Sequence, residues 1–183
     1  MKKLTLLTLT LGLVASSAVA QSSDDASVNV GVAVGSNLAV TKTADLFFGT
    51  IDGISAAETI TVNAVTGAAS GDYSPADAAR GTVEIEGAFD AQVFVDISGD
   101  GNYDEATGVL TLIRDGGAEE QTVALTISDG TTAYSGAALS TGASDYDLDG
   151  AGELTIGIGG TLTIVDTDGG FYRGEITVSI SYF

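Results

Sequence analysis

Two acidic stretches hold the residues best suited to chemistry. Asp96, Ser98, Asp100 and Asp104 follow the spacing Asp-x-Ser-x-Asp-Gly-x-x-Asp, with Gly101 at the turn. Asp145, Asp147, Asp149 and Glu153 follow Asp-x-Asp-x-Asp-Gly-x-x-Glu, with Gly150 at the turn. Calcium takes about six to eight hard oxygen ligands, and this spacing wraps three or four of them around one point. Both stretches lack the bidentate glutamate of an EF-hand at the twelfth position, where Thr107 and Ile156 stand. They read either as low-affinity calcium loops of the extracellular kind or as plain acidic turns in an acidic protein.

Other chemistry is closed off by composition. The chain of 183 residues has no histidine, no cysteine and no tryptophan. Ser-His-Asp and Cys-His nucleophiles, zinc sites of the usual ligands and disulfides are therefore absent. A carboxylate pair could in principle hydrolyse a glycoside. With 25 acids some pair always lies close, and no tryptophan is available to stack on a sugar. Gly157-Ile158-Gly159-Gly160 lacks the lysine of a phosphate loop and reads as a turn or bulge between strands. No enzymatic activity is expected. A formal charge of −19 repels nucleic acid and anionic membrane surfaces, which excludes both as partners.

The start of the chain reads as a cleaved secretory leader. Lys2 and Lys3 precede an apolar run, Leu4 to Val14, and Ala18-Val19-Ala20 fits a small-residue cleavage site. The run is shorter than the roughly 20 residues of a spanning helix. Residues 1–20 are thus expected to be removed, leaving 21–183 as one domain. Four bases then face 25 acids, a net of −21. The expected destination is the extracellular space, cell surface or periplasm of a bacterium.

Period-two alternation dominates the remainder. Val28, Val30, Val32 and Val34 alternate with small or polar residues, and the pattern returns at Ile60 and Val62. The longest run is 82–97, with Val83, Ile85, Phe89, Ala91, Val93, Val95 and Ile97 on one parity. Later runs centre on Leu110, Val123 to Ile127, Leu154 to Ile164 and Ile176 to Tyr182. Asp-Gly and Ser-Gly pairs punctuate them. Segment 74–80 could form one helical turn, and 130–150 reads as a long connection. Eight or nine short strands predict an all-β fold, an antiparallel β-sandwich.

Three stretches resemble one family. They are Leu38 to Ile51 with its Leu46-Phe47-Phe48-Gly49 corner, Gly81 to Ser98, and Leu154 to Ile164 followed by Gly170 to Tyr182. Together they are similar to the bacterial secreted family called domain of unknown function 4402. The acidic stretch from Asp145 to Glu153 departs from that pattern. The resemblance implies an extracytoplasmic, Ig-like or pilin-like sandwich, and it brings no catalytic residues.

The expected role is an exported structural or adhesive cell-surface protein, a fimbria-like subunit assembling by β-strand pairing. The segment 27–34 is the expected self-association strand: it is apolar on one parity and free of charge. One alternative is a soluble secreted or periplasmic binding module with calcium-stabilised loops. The other is a small outer-membrane β-barrel, against which the lack of tryptophan speaks.

Overall fold

The computed structural model describes residues 37–53, 55–139 and 145–183. The expected leader 1–20 and the strand read at 27–34 lie outside these. Thirteen strands are described: β1 Ala39–Ala44, β2 Thr59–Val62, β3 Ala69–Gly71, β4 Gly81–Glu86, β5 Gln92–Gly99, β6 Tyr103–Asp104, β7 Val109–Arg114, β8 Glu120–Ser128, β9 Ala133–Ser135, β10 Asp145–Asp147, β11 Glu153–Thr163, β12 Tyr172–Arg173 and β13 Ile176–Tyr182. Five of them run only two or three residues, below what alternation can register. A 3-10 turn, Gly136–Leu139, is the sole helical element among the described residues.

All pairings are antiparallel, as alternation with one wet face requires. The larger sheet runs β1-β4-β11-β8-β7-β12, with β2, β3, β6 and β9 attached to it. The smaller sheet is β10-β5-β13. Their apolar faces share one core, in which Ile60, Ile85, Val95, Ile97, Leu125, Ile127, Tyr146 and Ile156 are fully buried. The fold is therefore the expected all-β antiparallel sandwich.

Three local expectations are corrected. The run 82–97 is not one strand: it breaks at 87–91, where Gly87 meets the packed ends of Leu38, Leu148 and Tyr182 and Asp90 takes φ 51°. β4 then stays in the larger sheet while β5 crosses to the smaller one, and Phe89 at the corner is 74% exposed. Segment 74–80 makes a turn with Ala78 N–H donating to the Pro75 carbonyl, not a helix. Within 130–150, β9, the 3-10 turn and β10 replace the expected plain connection.

Gly157 to Gly160 is also no turn. It lies inside β11, the longest strand, whose one edge pairs with β8. The other edge pairs first with β4 and then with β2. At the changeover the backbone of Val62 to Ala64 crosses close over β11. A Cβ on Gly159 would run into the Val62 carbonyl and the Ala64 backbone, and one on Gly157 into the Ala64 carbonyl. Arg80 ties the crossing down by donating to the carbonyls of Ala64 and Val65. Gly159→Ala should therefore lower stability by about 1–3 kcal/mol, as forced overpacking does, read as a drop in denaturation midpoint. An unchanged midpoint would contradict the close crossing.

Candidate functional site: acidic turns and an open groove

The structure spreads the residues of the two acidic stretches over strands and turns. Asp96 and Ser98 lie on the outer face of β5, opposite Ser179 and Thr177 of β13. Asp100 sits in the following turn and accepts from the Asn102 N–H at 3.0 Å. Asp104 accepts from the Ala106 N–H at 2.9 Å and from the Thr107 hydroxyl at 2.7 Å. In the second stretch Asp145 and Asp147 pair with Phe94 and Gln92 on β5. Asp149 accepts from the N–H groups of Ala151 at 2.8 Å and Glu153 at 2.9 Å. Glu153 stands opposite Glu86 in the β4–β11 ladder. Among the described residues no group of three or more acids is placed to hold a metal ion.

The spacing therefore has a second physical meaning. An aspartate that opens such a turn can accept from the N–H two residues further on, which mimics what an ion would do. Those bonds stabilise the charged form. The Thr107 hydroxyl, with the Ala106 N–H, holds the Asp104 carboxyl below its ordinary value. The Glu153 N–H, with that of Ala151, does the same for Asp149.

The larger feature is a groove between the sheets, with a volume of about 1420 Å³. It exceeds the roughly 300–1,000 Å³ of ordinary small-ligand pockets. Its floor is the inner face of the larger sheet: Val83, Leu125, Ile158, Leu162 and Ile164. One wall is β13, with Ile176 and Val178 facing in. The other is β1 followed by Leu46 to Ile51. The polar far end is built by Phe171 to Glu175.

Several side chains along these walls are incompletely buried. On β5 the inward Val93, Val95 and Ile97 are fully buried. On β13 their direct neighbours Tyr182, Ile180 and Val178 are only half-buried. Val40 pairs with buried Ile85, so it too faces inward, yet it is 43% exposed. Among the described residues β13 pairs only with β5, and β1 only with β4. The groove is thus flanked by two sheet edges.

The second wall is pinned from outside. Phe47 exchanges both backbone bonds with Ala79 at 2.8 Å. Asp77 accepts from the Thr50 N–H and, at 2.8 Å, from its hydroxyl, which holds the Asp77 carboxyl below its usual value. Gly49 takes φ 92°, and a Cβ there would strike Pro75. Phe48 points into the core. The Leu46-Phe47-Phe48-Gly49 corner is therefore a wall-forming device. Lys42 lies on the inward parity of β1, opposite Val83, and bonds Asp45 at 2.7 Å. A charge on the inward side of an edge strand is a common guard against indiscriminate pairing.

Sequence reasoning named the acidic stretches and missed the groove. Its inward residues alternate like any core residue, and no sequence signal separates a buried face from one awaiting a neighbour. For the acidic turns the sign of the pH effect is fixed. A carboxyl whose folded value is depressed contributes stability above its unfolded value, about 3.9 for aspartate, and loses it as pH falls through the folded value. Thermal melts of wild type and Asp149→Ala should differ at about pH 6 and converge near about pH 2. A gap of constant size across that range would contradict the turn role.

A family model described as Domain of unknown function (DUF4402) matches residues 38–182. No curated protein sequence matches the chain. The matched span begins just before β1 and ends with the last residue of β13, so it contains both groove walls and the floor between them. On that coverage the chain belongs to the DUF4402 family.

Proposed function

We propose that the protein is an exported structural subunit of a cell-surface assembly, in which segment 27–34 of one copy fills the groove of the next. The observation that carries this reading is the groove between β1 and β13, which among the described residues pair only with β4 and β5 respectively. An unpaired edge offers backbone donors and acceptors, and the apolar walls offer places for alternate side chains.

The occupant suits the space. Val28, Val30, Val32 and Val34 present four branched apolar side chains on one parity. The other parity carries Asn29, Gly31 and Ala33, all small. Eight residues of strand span about 26 Å, against about 23 Å for the seven of β13. The segment precedes Asn37, the first described residue, which leads into the β1 wall. Export is supported by the basic start, apolar run and Ala18-Val19-Ala20 of the first twenty residues.

Light scattering and negative-stain microscopy of purified 21–183 test the reading. Multimers or filaments are expected from 21–183. A folded monomer is expected when 21–35 is deleted, and a synthetic peptide of that sequence should bind it one to one. A monomeric 21–183 at all concentrations, or an unfolded deletion variant, would overturn the proposal.

A further inference from the structure

The charged residues that line the groove are Lys42, Asp45, Asp100, Asp168, Arg173 and Glu175. Both bases are already matched. Lys42 bonds Asp45 at 2.7 Å, and Arg173 bonds Asp115 at 3.0 Å. Asp168 is matched from outside the groove by Arg114 at 3.3 Å. Asp100 and Glu175 are left over: among the described residues neither is in an ion pair. Asp100 accepts from the Asn102 N–H, a bond that leaves its charge in place. The two acids stand together in the fold. Gly99 of β5 pairs with Ile176 of β13, and Asp100 and Glu175 flank that pair. Both are exposed.

What approaches this rim is acidic as well. Between residue 20 and Lys42 the chain has Asp24 and Asp25 and no base. The whole copy beyond residue 20 carries four bases and 25 acids, a net of −21. Strand exchange must bring two such copies into contact. Like charges facing one another slow the encounter, and salt relieves them by shortening the distance over which they act. That distance is about 30 Å at about 0.01 M salt and about 8 Å at about 0.15 M. In dilute salt it thus exceeds the roughly 23 Å length of β13. The attraction inside the groove is of another kind, since apolar side chains and backbone groups carry no net charge. Salt therefore acts on the approach and leaves the fit alone. This holds for either direction of the entering segment.

Resting on the strand-exchange reading above, we propose that ionic strength gates the exchange, and that Asp100 and Glu175 are the charges of the receiving copy that hold the gate. Dilute salt keeps copies apart with the groove open to solvent. Rising salt lets the segment of one copy reach the groove of the next. Charges at the rim of an interface act mainly on the association rate and its salt dependence, so the effect belongs to the rate of assembly.

Light scattering of purified 21–183 diluted into sodium chloride between about 0.01 M and about 0.15 M reads that rate. The initial rate should rise about 10- to 1,000-fold across the series. Asp100→Asn with Glu175→Gln should assemble faster than wild type in dilute salt and converge with it at the top of the series. Glu84→Gln with Glu86→Gln is the control. It removes the same charge from the exposed face of β4, opposite the Val83 face that lines the groove, and should accelerate assembly less. Glu175→Gln alone carries the comparison if the double variant melts lower than wild type.

Equal acceleration by the two pairs overturns the placing of the gate at the rim. A rate that is flat or falling with salt overturns the gate itself. So does acceleration by calcium chloride that sodium chloride of equal ionic strength does not reproduce, because the cause is then a bound ion. Absence of assembly at every salt concentration defeats the strand-exchange reading and is thereby distinguished from failure of the gate alone.

Discussion

The two sheets are unequal in width, and much of the molecule follows from that mismatch. The larger sheet sets six strands side by side along its main path, whereas the smaller has three. Among the described residues, part of the larger sheet's inner face therefore has no strand above it. Apolar surface left in this way is worth roughly 25 cal/mol per Å² once covered, and an unpaired edge adds hydrogen bonds to whatever covers it. The half-buried side chains of β13 and the exposed Val40 are the local signs of that unfilled layer. The pinned wall from Leu46 to Ile51 keeps the space from collapsing. Bonds from Phe47 to Ala79 and from Thr50 to Asp77 fix it to the chain outside the groove.

Charge is spent with economy. After residue 20 there are four bases, and each holds something in place. Lys42 holds Asp45, and Arg114 lies between Glu119 and Asp168. Arg173 holds Asp115, while Arg80 secures the Ala64–Val65 crossing. Exposed ion pairs contribute little to stability individually, so these serve mainly to position loops around the groove. Asp77 is held by Thr50 of another loop, and Asp104, Asp129 and Asp149 by N–H and hydroxyl donors of their own turns, instead of by bases. An acidic protein can build its turns this way without balancing each charge.

Much of the architecture was legible because alternation records which face is dry. β2, β8 and β13 stand where the pattern put them. The break at 87–91 was hidden because its odd number of residues preserves parity, so Phe89 kept step with core residues while lying outside. Gly157 to Gly160 looked like punctuation because a turn glycine and a crossing glycine are the same letter. The acidic spacing was legible as a pattern but ambiguous in meaning, since an Asx turn and a calcium loop place aspartates alike. The groove left no mark, because the sequence of β13 is that of a strand with neighbours on both sides.

The central claim is that the outer edge of β13 is open in an isolated copy and paired in an assembly. Amide hydrogen exchange across Ile176–Ile180 reads this directly. In protein lacking residues 21–35, the alternate β13 amides that face away from β5 should exchange fast, while β5 stays protected. In assembled 21–183 those same amides should become protected, with β5 unchanged. Equal exchange of the β13 amides in both samples would contradict the account.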